Sequence, residues 1–396
     1  MSDLIIDLEG AVAPSELDHQ PRTRIVYGCG TVERLGGLAA AMGAKRVLVV
    51  SDPGVVAAGH TGRGVKSLQE AGLEVLLFDG ARENPTTDDV NRGLQVASPF
   101  GPDLIVGLGG GSSMDCAKGI NFLLTNGGEM KDYWGVDKAT KPMLPLITVP
   151  TTSGTGSEMQ SFALISDAVS HVKMACGDKK TASKIAILDP ELTLTQPAQV
   201  TALTAIDALS HAIETFVCTK RNLVSQMYSR EAFRLLSGNI QAVLQRPNDL
   251  AARAAMQLGA GLAGLAIENS MLGAAHALAN PLTASFGTAH GQAVGLMLPH
   301  VVRFNAEHFE AEYDQLMRSF EGDLGFSPGE SASRQLASWL TETLRKANLS
   351  SKLSQLGIAG TAVGDLATAA TKQWTGSFNP RPVDAQSLGK LYQDAL

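Results

Sequence analysis

From residue 24 to about 190 the chain alternates short β-branched apolar runs with Gly/Pro/Asp punctuation and helix-like stretches. Four runs, Arg46–Val50, Glu74–Asp79, Asp103–Leu108 and Leu146–Pro150, are nearly unbroken in their apolar residues rather than alternating. A strand covered by helices on both faces needs that pattern, so the runs predict a mostly parallel α/β sheet. Segments between them, such as Thr31–Met42 and Ser113–Leu124, read as amphipathic helices. After Pro190 the β-branched runs stop and Ala and Leu dominate, with few breakers in Gln199–Val217 and Ala251–Ala279. The pattern predicts an α/β domain over residues 1–195 and an all-helical domain over 196–396. Glu321–Ala332 reads as a surface loop, and Asn379-Pro380-Arg381-Pro382 as a stop before one last helix.

Composition agrees with a core-forming chain: 44% of the 396 residues are apolar and 18% charged. Against 39 Asp+Glu stand 32 Lys+Arg, a net charge of −7, so neither nucleic acid nor an anionic membrane is an expected partner. The first 24 residues lack a basic region followed by a long apolar stretch, which speaks against a signal peptide, and no apolar run suggests a membrane span. Cys29, Cys116, Cys176 and Cys218 are widely spaced with no CxxC pair, which fits a reducing cytoplasm rather than a disulfide framework.

The run Asp103–Leu108 leads straight into Gly109-Gly110-Gly111-Ser112-Ser113-Met114-Asp115, a glycine-rich turn opening a helix after a parallel strand. Glycines let backbone N–H groups approach a phosphate, and the helix amino end favours negative charge. The spacing is neither a standard dinucleotide fingerprint nor a Walker A loop, and a tight strand-to-helix turn is the alternative. Thr151, Thr152 and Thr155, in Pro150-Thr-Thr-Ser-Gly-Thr-Gly-Ser-Glu158, could donate to a phosphate or ribose, or simply cap a helix. Asp52, after the first strong strand, could accept from the hydroxyls of an adenine ribose or act as an ordinary cap.

Asp207 and His211 lie four apart in a helical window and so share one face, spaced to hold one ion or to form a surface hydrogen bond. His276 and His290 lie in Gly/Ala-rich, uncharged surroundings that leave room beside each imidazole. One carboxylate and three imidazoles suit Fe(II), Zn(II), Mn(II) or Co(II) and leave a position for water or substrate. His19, His60, His171, His300 and His308 read as non-ligands.

With these segments the chain resembles the iron-containing (group III) alcohol dehydrogenases, from Tyr27-Gly-Cys-Gly30 through the glycine loop and PTTSGTGSE to Phe378-Asn-Pro-Arg381. The resemblance implies the dehydroquinate synthase-like fold: an N-terminal dinucleotide-binding α/β domain, an all-α C-terminal domain, and a cleft between them. It implies Asp207, His211, His276 and His290 as metal ligands, Asp52 at the adenine ribose, and Gly109, Gly110, Gly111, Ser112 and Asp115 as the pyrophosphate loop. Thr151, Thr152 and Thr155 become cofactor contacts, and Lys173 the lysine at the nicotinamide-side ribose. Asp52 favours NAD, since similar members that use NADP tend to carry a small uncharged residue there.

The activity implied is reversible hydride transfer between NAD and a small primary alcohol, aldehyde or diol whose oxygen lies on a divalent metal, most readily Fe(II), with Zn(II) the alternative. Other readings within the superfamily are a hydroxyacid–oxoacid transhydrogenase, a glycerol dehydrogenase or a dehydroquinate synthase-like lyase; a non-catalytic binding protein is the remaining one. The lyase would need Lys and Arg near the metal, and none flanks His276 or His290.

Two positions depart from relatives: Asn280 replaces a histidine, so any contact it makes to substrate or cofactor is polar but not titrating, and Ile267 replaces an aromatic residue. The stretch Leu262–Leu278 is apolar, with Glu268 and Asn269 among its few polar members, suggesting a short aliphatic or diol-like substrate. The long Ala/Leu helices offer a surface for a homodimer or higher homo-oligomer.

Overall fold

The computed structural model describes residues 19–170, 172–323 and 329–396. The expectations for residues 1–18, for His171 and for 324–328 of the predicted loop lie outside the described residues.

Strands β1 (Arg24–Tyr27), β2 (Arg46–Val50), β3 (Glu74–Phe78), β4 (Leu104–Gly109), β6 (Leu146–Pro150) and β9 (Ile185–Leu188) form one sheet in the order β1-β9-β6-β4-β2-β3, all neighbours parallel. The four predicted strands are present to within a residue. Asp103 stays out of β4 because its carboxylate accepts from the backbone N–H groups of Lys45 and Arg46 at the start of β2.

Both faces of the sheet are covered, as the unbroken apolar runs require. Val47 and Val49 enter a core with α1 (Leu35–Ala41) and α3 (His60–Glu70), which follows the short α2 (Pro53–Ala57). Leu48 and Val50 point the other way, into a core with α4 (Thr87–Phe100) and α5 (Gly111–Asn126). The predicted amphipathicity of Ser113–Leu124 does not hold, because every residue from Ser113 to Leu123 is buried. The cause is a second sheet that the sequence pattern does not reveal: β5 (Gly135–Val136), β7 (Phe162–Ser166) and β8 (Lys173–Gly177), with β7 and β8 antiparallel. Helix α5 packs on β4 and on β7, so it has no solvent face.

All strands among the described residues precede residue 189. The remainder is helical: α6 (Ala198–Val217), α7 (Leu223–Gln245), α8 (Leu250–Glu268), α9 (Ala274–Phe286), α10 (His290–Met317), α11 (Ala332–Lys346), α12 (Val363–Ala370) and α13 (Ala385–Asp394). The last begins after the Asn-Pro-Arg-Pro stop, as expected. The predicted helical stretch Ala251–Ala279 is instead two helices, broken between Glu268 and Ala274. At Gly273 a Cβ would lie 2.9 Å from Glu214 Oε1 and 3.1 Å from Asn379 Oδ1, so the turn that seats His276 accepts only glycine without rearrangement.

By composition α6 and α8 are long and apolar enough to cross a membrane, with mean hydropathies of 1.2 and 1.4, although no such run was expected. Both are interior helices here: 83% and 67% of those windows are buried within the protein, so their apolar surface is already spent on its core.

The α/β and helical parts meet through the segment after β6. A Cβ on Gly154 would be 2.5 Å from Thr204 Cβ on α6, and one on Gly156 would be 2.6 Å from Gly264 Cα on α8. Backbone therefore lies directly against both helices.

Candidate functional site

Chain direction across the large sheet reverses between β2, which leads out to β3, and β4, which leads back toward β1. The crevice beyond the carboxyl ends of such a pair is where open α/β sheets bind ligands. Asp52 follows β2 and the glycine turn follows β4, so the two motifs face each other across this point. Asp52 Oδ1 accepts from Val55 N at 3.0 Å, capping α2, and Oδ2 accepts from Ser113 Oγ at 2.8 Å. Asp52 is thus an ordinary cap of α2 that also ties to the helix after the glycine turn.

Two glycines of the triplet have a packing reason besides phosphate access. Gly109 has φ +153°, and a Cβ there would lie 2.5 Å from Ser113 Oγ; at Gly111 it would lie 2.7 Å from Thr155 Cγ2. Gly110 has ordinary room, 3.5 Å from Thr152 Cγ2. Ser112 Oγ accepts from Asn84 N at 3.2 Å, and Thr151 N donates to Gly109 O at 2.9 Å. The turn and the Thr151–Thr155 segment therefore form one wall.

Asp115 is buried and accepts from Ser157 Oγ at 2.6 Å. Its carboxyl is raised above the usual range by desolvation, against the pull of Lys118 and Ser157. Lys173 is solvent-accessible at the start of β8, yet the surrounding walls lower its pKa, while Asp115 and Asp207 oppose that shift.

Asp207, His276 and His290 offer ligand atoms that all lie within 4.8 Å of one another. His211 Nε2 is 3.5 Å from Asp207 Oδ1, and the Nε2 atoms of His276 and His290 are each 3.7 Å from it. Ligand atoms about 2.1 Å from one tetrahedral ion would be roughly 3.4 Å apart, so Asp207, His276 and His290 fit a single divalent metal, while His211 approaches Asp207 but stands outside their mutual cluster. Asp207 Oδ1 and His276 Nε2 are buried with no hydrogen-bond partner among the described residues. Such atoms are costly unless something binds them, and these two aim at one point. The donor set therefore fits the implied ion.

The residue that completes this centre was not anticipated. Glu214 lies on α6 seven residues after Asp207 and three after His211, hence on the same face, a spacing that could have exposed it. Its Oε2 accepts from His276 Nδ1 at 2.5 Å and its Oε1 accepts from Ala275 N at 2.7 Å. Nδ1 being occupied, Nε2 is left to face Asp207, the arrangement by which carboxylates orient metal-binding imidazoles. Asn379 Oδ1 accepts from Ala274 N at 3.2 Å, giving the Asn-Pro-Arg segment a role in seating α9.

Charge follows from the same contacts. Desolvation raises the Asp207 pKa, but His211, His276 and His290 outweigh it and hold the carboxyl well below the usual range. Desolvation pushes His290 down to about 3, against the pull of Asp207. For His276 desolvation is overcome by Glu214 and Asp207, which push it up to about 9.

Asn280, one turn after His276, donates from Nδ2 to Gln373 Oε1 at 2.9 Å. Glu268, one of the few polar members of the apolar stretch Leu262–Leu278, accepts from Ser161 N and Oγ and from Arg22 Nη1. It ties α8 to the α/β part.

The family described as iron-containing alcohol dehydrogenase matches residues 21–190, and that described as Fe-containing alcohol dehydrogenase family, C-terminal, matches residues 201–396. The chain belongs to the iron-containing alcohol dehydrogenase family. It is 33% identical to alcohol dehydrogenase 4 of Schizosaccharomyces pombe, covering 94% of this chain and 87% of that one. It is also 33% identical to the NAD-dependent methanol dehydrogenase of Bacillus methanolicus, covering 94% and 97%. A solved 1,3-propanediol oxidoreductase superposes with a TM-score of 0.91 at 30% identity, covering 96% of this chain and all of that one. This iron-containing alcohol dehydrogenase is thus an oxidoreductase acting on alcohols, and its family implies NAD and a divalent metal, typically iron.

Exchanging Glu214 for glutamine keeps the shape and the acceptor for Ala275 N but removes the charge behind His276. Metal affinity is expected to fall about 10- to 100-fold. Metal titration of the apo-protein checks this, and unchanged affinity would remove Glu214 from the centre.

Proposed function

We propose that this enzyme carries out reversible hydride transfer between NAD and a small primary alcohol or diol, with Fe(II) or, second, Zn(II) held by Asp207, His211, His276 and His290. The observation that carries this is the approach of the His211, His276 and His290 Nε2 atoms to Asp207 Oδ1 at 3.5–3.7 Å, with Asp207, His276 and His290 clustered around one point and backed by Glu214. When bound, the metal supplies Lewis acidity at the substrate oxygen and NAD supplies the hydride acceptor.

The chain's own residues provide position and charge. Gly109, Gly110, Gly111, Ser112 and the threonines Thr151, Thr152 and Thr155 form the wall for the pyrophosphate, at the amino end of α5. Asp52 accepts from the adenine ribose and repels a 2′-phosphate, which selects NAD. Lys173, beside Asp115 and Asp207, reaches toward the nicotinamide-side ribose. Asn280 has one amide N–H engaged by Gln373, which leaves its other N–H and its carbonyl oxygen for a polar contact such as the second hydroxyl of a diol. Asparagine does not titrate, so the proton leaves through a ribose hydroxyl or solvent. We divide the chain into an α/β domain to residue 195 and a helical domain from 196, and read it as a cytoplasmic enzyme from its four unpaired cysteines.

The test is NADH formation by apo-protein reconstituted anaerobically with Fe(II) or Zn(II), across primary alcohols, diols and 2-hydroxy acids, with NADP in parallel. Turnover should require both metal and NAD, and NADP should be poorer by at least about tenfold, or about 1.4 kcal/mol. Silence across the panel, with metal and NAD shown to bind, would overturn the dehydrogenase reading in favour of a transhydrogenase.

A further inference from the structure

Trp374 opens the short helical turn Trp374–Phe378 before α13, and 43% of its surface is exposed. Two aromatic neighbours hold its ring in place. The Phe378 centroid lies 5.8 Å away, edge to face, and the Phe162 centroid 5.9 Å away, tilted by 34°. Phe162 belongs to β7, so the second contact joins the helical part to the small sheet of the α/β part.

Both rings are carried by elements that border the metal centre. Gln373, the residue before Trp374, accepts from Asn280 Nδ2 at 2.9 Å, and Asn280 lies one turn after His276 on the same face of α9. A Cβ on Gly376 would be 3.3 Å from Ala277 Cβ, so the turn lies directly on α9. On the other side, strand alternation puts Phe162 and Leu164 of β7 on one face with Lys173 of β8, while Ala163 and Ile165 are buried against α5. The Lys173 ammonium acts electrostatically on Asp207 and His290, so this face looks onto the metal centre. Leu164 is 36% exposed there, an apolar surface beside the two rings.

We propose that Trp374 and Phe162 are the outer wall of the substrate pocket and limit the length of the alcohol chain, a role that rests on the metal centre read above as the seat of the substrate oxygen. With the oxygen fixed at that end, the carbon chain runs away from it toward the rings. Neither ring can retreat freely. Phe162 lies over Gly177, where a Cβ would come within 2.3 Å of Phe162 Cε1, and Trp374 is backed by Phe378. A short aliphatic chain therefore gains apolar contact with the wall, and a longer one collides with it.

The ratio of kcat/KM for n-hexanol to that for n-propanol, measured with NAD on the metal-loaded enzyme, tests the limit. Metal content and folded fraction cancel in this ratio within each preparation. Trp374→Ala should raise it at least about tenfold, since a methylene accepted or refused by an apolar pocket counts for about that much. Phe162→Ala opens the wall from the other side, serves if Trp374→Ala does not fold, and should move the ratio in the same direction. An unchanged ratio in either variant overturns the proposal.

Contact with the ring is also read without turnover. In nucleotide-free, zinc-loaded protein no hydride can move, and titration with n-butanol should shift the tryptophan emission to the blue as the carbon chain covers Trp374. The shift should vanish in Trp374→Phe, which retains Trp134 and Trp339 as the background. An equal shift in that variant, or none in the native enzyme, overturns the proposal. The expected shift in an enzyme that forms no NADH from any alcohol would support the wall and fault the dehydrogenase reading instead.

Discussion

Replacing His276 with alanine is expected to abolish metal binding and to lower kcat/KM by about 10³-fold or more, while NAD affinity changes less than about twofold. The first effect follows from the buried Nε2, which has no protein partner among the described residues and faces Asp207 Oδ1 at 3.7 Å. The second follows from distance along the fold, because Asp52 and the glycine wall lie at the carboxyl ends of β2 and β4, on other elements. Glu214 would lose its bond to His276 Nδ1 and keep the one from Ala275 N, so some loss of stability, about 1–3 kcal/mol, accompanies the change. Metal content, NAD titration and turnover measured on one preparation check it. Full activity in metal-free variant protein would refute the metal assignment.

Lys118→Met is expected to lower the unfolding free energy by about 3–5 kcal/mol, the cost of breaking a buried charge network from one side. The Lys118 ammonium is fully buried and donates to Ser157 O at 2.7 Å, Ser157 Oγ at 3.0 Å, and the carbonyls of Gln160 and Phe162 at 2.8 Å each. It fixes the turn after Gly156 and the start of β7 onto α5. Desolvation lowers its pKa while Asp115, Glu268 and Glu158 oppose this, so removing it takes away the positive charge that offsets those carboxylates and leaves the carbonyls of Ser157, Gln160 and Phe162 without their donor. Glu158, pushed by burial up to about 7, would be driven higher still. Urea unfolding of the apo-protein measures the loss. A change below about 1 kcal/mol would mean that water substitutes for the amine.

Much of the site was legible because its residues cluster in short segments. The glycine turn, the threonine segment and Asp52 each follow an apolar run that could only be a buried strand. Asp207 and His211 declare a shared helix face by their four-residue spacing. Glu214 was equally readable by period and was missed because one glutamate on an apolar helix carries no motif. The role of Glu268 was not readable for the opposite reason: it is polar in an apolar stretch, but Ser161 and Arg22, more than a hundred residues away in sequence, take its oxygens.

What the sequence determined by itself is local: which runs become strands, where helices replace them, and which side chains can act as ligands or anion donors. Periodicity and composition encode such features because each depends on neighbours within a turn or a strand. The structure alone decided what depends on contacts remote in sequence. It buried α5 on both sides under an unforeseen second sheet and split Ala251–Ala279 at Gly273, where Glu214 leaves no room for a Cβ. It also placed Asp207, His276 and His290 around one point. Burial and side-chain partnership belong to the packed chain, and no window of sequence contains them.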